Sequence, residues 1–215
     1  MEIKVLKNIL DANDQIAFNN QIQLNKNHVF ALNIMSSPGS GKTTMITKTI
    51  NNLNHIIKIG VIEGDVASSI DAEKIANLSI PVVQINTGGS CHLNANSIQS
   101  ALTNLPLDKI NLLLIENVGN LICPGEFYLG ENKKVVLLSV PEGDDKPYKY
   151  PLLFSIADVV IVTKIDLLPF FDFNLDQLIK TITNMNQSAQ IFPISSKTGE
   201  GIDKWIDWLK SQIKK

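Results

Sequence analysis

The sequence predicts an α/β fold, a mostly parallel, doubly wound sheet with helices on both faces. Three observations predict it. Seven apolar runs of strand length recur along the chain, segments with helical spacing separate them, and several runs lead into glycine-rich or acidic stretches. Near-continuous apolar strands suit a sheet buried on both faces, and their alternation with helices makes that sheet parallel. In such folds ligands bind beyond the carboxyl ends of the strands, so the chemistry is to be sought in the residues just after each run.

Residues 1–28 are polar and rich in Asn and Gln, and the spacing of Ile3, Leu6, Ile9 and Leu10 predicts a short amphipathic helix. This segment reads as an N-terminal extension docked on the domain or on a partner, with one domain over 29–215. The runs then come in the order "HVFALNIM", "IIKIGVIE", "IPVVQIN", "INLLLIEN", "KKVVLLSV", "ADVVIVTK" and "QIFPIS". Met45, Ile46, Ile50 and Leu53 fall at helical spacing after the first, and Ile202, Trp205, Ile206 and Leu209 after the last. No internal repeat or linker divides the chain, and 215 residues suit one core.

A net charge of −2 gives no electrostatic reason to expect a nucleic-acid partner. Two cysteines make no disulfide scaffold and fit a reducing compartment. No apolar run reaches the roughly 18 residues of a membrane span and no targeting pattern opens the chain, so a soluble, cytoplasmic protein without membrane partners is expected. Arginine is absent; Lys supplies every permanent positive charge.

The first strand runs into "SSPGSGKTT", residues 36–44. This is the P-loop pattern with Ser36 at the position of the usual first Gly. Pro38, Gly39, Ser40 and Gly41 would close backbone amides around phosphates at a helix N-terminus. Lys42 would neutralise the β- and γ-phosphates, the Thr43 hydroxyl would reach Mg²⁺, and Thr44 completes the motif. Two further strands end in acids. Glu63 and Asp65 close one and Glu116 another, which makes Asp65 and Glu116 candidates for the Mg²⁺ shell. Glu116 to Gly119 has the Asp-x-x-Gly spacing of a switch element, with the Gly119 amide placed for the γ-phosphate.

The base is read from two loops. "TKID" resembles the guanine-reading Asn-Lys-x-Asp element: Asp166 would accept two guanine N–H groups, Lys164 would lie along base and ribose, and Thr163 stands in place of Asn. Asn there normally ties this loop to the P-loop, so its replacement weakens the match. "SSKTG" after the last strand offers Ser196 and Lys197 as the second base-contacting loop. The two loops in this order favour GTP over ATP.

Cys91, His92 and Cys123 remain. Their donors suit Zn²⁺ and Ni²⁺ rather than Mg²⁺, and three per chain leave a four-coordinate site incomplete or shared between two chains. A free Cys is more often a small buried hydrophobe, and on composition both readings stand.

From about residue 29 onward the chain resembles the hydrogenase nickel-incorporation GTPases. The stretches that carry the resemblance are "SSPGSGKTT", "EGD" followed by "DAEKI", "QINTGGSCHLNA", "ENVGNLICP", "PEGDDKPYKYP" and "TKIDLLP". The resemblance implies a P-loop GTPase of the dimerising, SIMIBI-type class. It implies that Cys91, His92 and Cys123 bind nickel or zinc at a GTP-dependent homodimer interface, with GTP hydrolysed to GDP as nickel passes on toward hydrogenase. A nickel-binding maturation partner and, directly or indirectly, the hydrogenase large subunit are the implied partners. Ser90 and Asn94 stand where relatives tend to carry Gly and an acid. "MEIKVLKNIL" is neither Cys-rich nor His-rich, so only the domain site and no nickel storage is expected. The related urease-type GTPases write Cys-Pro-His, and the uninterrupted "CH" favours the hydrogenase type.

Cys123 continues the chain from Gly119, so GTP is expected to order this segment, pair two protomers and complete the metal site. Without Arg there is no arginine finger from the chain or an identical partner, and slow turnover is expected. Asn120 is a candidate for orienting water, and Lys146 for reaching the phosphates across a dimer. A non-hydrolysing metal-sensing switch, a small-molecule kinase and a plain GTPase with packing cysteines are the alternatives.

Overall fold

The computed structural model describes residues 9–66 and 70–213. It begins with helix α1 (Ile9–Lys26), and the chain then alternates: β1 (Phe30–Ser36), α2 (Lys42–Leu53), β2 (Ile59–Asp65), α3 (Ile70–Ala76), β3 (Val82–Asn86), α4 (Ala95–Leu102), β4 (Leu112–Glu116) and β5 (Lys133–Ser139). Two short helices, α5 (Lys146–Lys149) and α6 (Pro151–Ser155), precede β6 (Val159–Thr163), α7 (Leu175–Met185), β7 (Gln190–Pro193) and α8 (Ile202–Ile213). All seven apolar runs form strands, and they pair in parallel in the order β3-β2-β4-β1-β5-β6-β7.

The two-residue alternation of a strand sends neighbouring side chains to opposite layers. Leu32 and Ile34 of β1 join Leu112, Leu114, Val135 and Leu137 beneath α2 and α8. Ala31 packs with Leu113 and Ile115 in the opposite layer, where α4 and Leu24 of α1 cover them. Met35 joins Val136, Leu138, Val160 and Val162 against α6 and α7. Both helical stripes expected from the sequence are buried: Met45, Ile46, Ile50 and Leu53 on α2, and Ile202, Trp205, Ile206 and Leu209 on α8. The Trp205 indole donates to the Thr49 hydroxyl at 2.9 Å, so α8 holds α2 through a satisfied buried polar group as well as by packing.

Of the positions that predict the short N-terminal helix, Ile3 and Leu6 lie outside the described residues. The helix seen, α1, has 18 residues and buries Asn13, Ala17, Asn20 and Leu24. Asn20 donates to the carbonyls of Ala95 (2.8 Å) and Leu129 (3.1 Å), and Asn13 accepts from the Ala95 amide at 2.8 Å. Side-chain amides thus satisfy backbone groups at the start of α4, which buried chain requires. Among the described residues no helix is long and apolar enough to cross a membrane.

Candidate nucleotide and metal sites

The strand order sets β1 between β4 and β5, so the loop after β1 sits beside the acidic ends of its neighbours. Ile34 pairs with Glu116, and Glu116 pairs in turn with Glu63 of β2. Residues 37–41 join β1 to α2, with Gly39 at φ +78° and Gly41 at φ +95°. Both lie in the left-handed region, where a side chain is strained whatever the space around it. That curl leads the chain into the first turn of α2, where helix amides lack helical acceptors. Lys42 bends back to donate to the Ser36 hydroxyl at 3.1 Å, so the residue that breaks the usual pattern is a partner of the loop lysine. The Thr43 hydroxyl donates to Glu116 at 2.7 Å.

These groups line a cavity of about 510 Å³ whose wall includes Pro38, Gly39, Gly41, Lys42, Thr43, Thr44, Glu63, Asp65, Glu116 and Gly119. Gly119 lies directly on the loop: a Cβ there would come within 3.0 Å of the Pro38 ring and 3.1 Å of its backbone nitrogen. Lys74 of α3, to which no motif in "DAEKI" assigns a role, lines the same cavity. Thr43, Glu63, Asp65 and Glu116 give it an all-oxygen donor set, the kind a hard divalent cation requires.

A second cavity of about 300 Å³ shares Gly41, Thr44 and Lys164 with the first. Asp166, Leu167, Ser196 and Lys197 close it, so the two loops expected to read the base meet there. Thr163 is buried, and its hydroxyl donates to the Ser40 carbonyl at 2.7 Å. The tie that the missing Asn was expected to leave open is therefore made by a shorter side chain. Lys164, left-handed at φ +60°, donates to the Gly39 carbonyl at 2.8 Å and makes a second tie. Ser195, which the sequence does not distinguish from Ser196, donates its hydroxyl to Asp166 at 2.6 Å and fixes that carboxylate.

Cys91, His92 and Cys123 form the third group. They come from separate segments, one between β3 and α4 and one after β4, yet their ligand atoms all lie within 4.8 Å of one another. The sulfurs are 2.9 Å apart and Cys91 Sγ is 3.7 Å from His92 Nδ1. One protomer gathers the three donors without a second chain. Phe127 stacks on the imidazole, centroids 3.9 Å apart at 23°, and fixes the ring plane. Burial lowers the His92 pKa against the opposing pull of Glu126, which favours the neutral, ligating imidazole. The hydrogen bond shared with the Cys91 thiol, with burial second, raises the Cys123 pKa, so a soft cation would have to displace that thiol proton on binding. Cys91 is exposed and the other two are half-buried, which leaves coordination positions facing outward.

Asn120 donates to the Cys91 carbonyl at 3.3 Å and accepts from the Ile122 amide at 2.9 Å, so its side chain braces the metal loop. The Lys146 ammonium lies 5.7 Å above the Tyr150 ring.

Residues 30–193 match the family described as "CobW/HypB/UreG, nucleotide-binding domain". The hydrogenase maturation factor HypB of Escherichia coli K12 is 43% identical over 212 residues, covering 99% of this chain and 72% of that protein. The chain belongs to the HypB hydrogenase maturation factors. The probable HypB of Methanocaldococcus jannaschii is 41% identical over 212 residues, covering 99% of this chain and 96% of that one. Among solved structures, HypB from Helicobacter pylori in complex with nickel superposes with a TM-score of 0.90 at 39% identity, covering 94% of this chain and 95% of that one. A HypB-type maturation factor therefore carries both the nucleotide-binding fold and a cysteine–histidine cluster in one domain.

Proposed function

We propose that this maturation factor is a GTP-hydrolysing nickel chaperone whose GTP form is a homodimer and whose cargo sits on Cys91, His92 and Cys123. The observation that carries the reading is the convergence of those three soft donors at one exposed point, with Cys123 on the segment that continues from Gly119 in the wall of the nucleotide cavity. The nickel complex of the Helicobacter pylori relative supports nickel over zinc as cargo. Two thiolates and an imidazole suit either ion, and an outward-facing site leaves positions for a receiving protein, a nickel-binding partner or the hydrogenase large subunit. A cytoplasmic location fits a site built on reduced thiols.

GTP would lie with its phosphates over residues 38–44 and its guanine against Asp166, Ser196 and Lys197. Lys42 holds positive charge where the β- and γ-phosphates meet, and the loop amides orient the phosphates by donating to their oxygens. Thr43, Asp65 and Glu116 would hold Mg²⁺, whose chemistry when bound is to neutralise charge on the phosphate oxygens. Gly119 offers its amide to the γ-phosphate, and its contact with Pro38 makes its position sensitive to what occupies the loop. With no arginine in the chain, positive charge comes from lysines, and turnover is slow.

The test is phosphate release from purified chain, with GTP and with ATP. Slow release from GTP, much slower release from ATP and loss of both in Lys42→Ala is the expected pattern; no release from GTP under any metal condition would overturn the hydrolytic reading.

A further inference from the structure

Asn117 stands between the candidate Mg²⁺ ligand Glu116 and the γ-phosphate-facing Gly119, and nothing in the motifs marks it. It is 1% exposed, and its backbone amide extends the ladder to β1 by donating to the Ile34 carbonyl at 3.0 Å. Its side-chain oxygen accepts two amides from different segments: Val118, next along its own chain, at 2.9 Å, and Leu93, the residue after His92, at 3.1 Å. Its side-chain nitrogen donates to Asn33 Oδ1 at 3.0 Å, which fixes the direction the oxygen faces. Leu93 is held a second way. Its side chain packs on Gly64 so closely that a Cβ there would come within 2.8 Å of it, and Gly64 lines the nucleotide cavity.

We infer that Asn117 is the positioning residue that carries nucleotide state to the Cys91–His92 half of the metal cluster. The inference rests on the reading that nucleotide state governs nickel affinity, and it goes beyond chain continuity, which reaches only Cys123. One buried oxygen holds the sensor segment and the metal loop together, so a shift of Val118 and Gly119 on binding a γ-phosphate changes the geometry available to the Leu93 amide. A buried amide tolerates loss of its acceptor poorly, so Leu93 follows, and His92 and Cys91 move with it. The Asn120 bridge to the Cys91 carbonyl joins the same two segments on the solvent side. The cluster is thereby braced from beneath and from above by groups on the sensor segment.

The experiment is nickel titration of the full chain in GDP and in a non-hydrolysable GTP analogue, for the wild type, Asn117→Ala, Asn117→Asp and Asn33→Ala. Coupled sites commonly differ by about fivefold or more between states, so that is the expected wild-type ratio. In Asn117→Ala the chain still binds one equivalent of nickel but the ratio falls below about twofold. Asn117→Asp, which keeps an acceptor oxygen on either side of the carboxylate, restores the ratio, and Asn33→Ala, which releases the direction of the Asn117 oxygen, lowers it toward the Asn117→Ala value. A ratio preserved in Asn117→Ala overturns the assignment, as does equal weakening of nickel in both states. A wild-type ratio of one overturns the switch reading itself, and with it this inference. Should Asn117→Ala fail to fold, amide exchange of Leu93 in the wild type decides: rates that differ between the two nucleotide forms support the relay, and identical rates overturn it.

Discussion

Single side chains decide how the two base-facing loops are held. Thr163 does from a buried position what a longer amide was expected to do, because the Ser40 carbonyl comes within 2.7 Å of its hydroxyl. "TKID" in isolation cannot reveal this, since donor and acceptor are 123 residues apart in sequence and meet only through the β1–β5–β6 arrangement. Thr163→Val keeps the shape, removes the donor and costs about 1 kcal/mol; GDP affinity measured by fluorescence titration should fall roughly fivefold. Ser195 acts through Asp166, so its effect should depend on that carboxylate. Asp166→Asn is expected to weaken GDP by roughly 10-fold or more, as loss of a charged acceptor does, and Ser195→Ala by less. In the Asp166→Asn background Ser195→Ala should add almost nothing. Additive losses in this double-mutant cycle would mean that Ser195 has some other role.

At the scale of elements, the strands were legible, whereas the length and buried face of α1 were not, for one physical reason. A strand buried on both faces must be apolar at nearly every position, and seven such runs stand out from their surroundings. α1 instead buries Asn13 and Asn20 alternately with Ala17 and Leu24, so its inward face carries no apolar stripe that periodicity would detect. Those amides serve carbonyls and an amide on other elements. Asn20→Ala would strip the Ala95 and Leu129 carbonyls of that donor, a loss of about 2 kcal/mol and a Tm decrease of roughly 4–8 °C by calorimetry. A second buried group nearby gives a pH dependence. Burial raises the Glu131 pKa, although the Leu129 amide and Asn33 favour the carboxylate. The unfolded chain ionises this group in the ordinary glutamate range while the folded chain holds its proton to higher pH. The associated stability is present below that range and is lost as pH rises through it toward the raised folded pKa. Glu131→Gln removes the titration, so the Tm of the variant relative to wild type should climb across that interval; an offset independent of pH would contradict the assignment.

For the whole molecule, sequence and structure agree on where chemistry gathers, at the carboxyl ends of the sheet. They differ on how the metal donors are brought together. Cys91–His92 and Cys123 were readable as soft ligands with an incomplete set, but nothing in their spacing says that a single protomer collects all three. That placement arises because β3 and β4 flank β2, which brings the segments after them near one another. The nucleotide cavity and the cluster are then two ends of one piece of structure, joined by Gly119 lying on Pro38 and by Asn117 and Asn120 bridging to the metal loop. Linkage requires any such coupling to be reciprocal: nickel must favour the nucleotide form that favours nickel. The most direct measurement is nickel titration of the wild-type chain in GDP and in a non-hydrolysable GTP analogue, with mass tracked in parallel. Tighter nickel binding in the analogue form, by about fivefold or more and accompanied by dimerisation, is the predicted result. Equal affinity in the two forms, or no nickel binding in either, would contradict it.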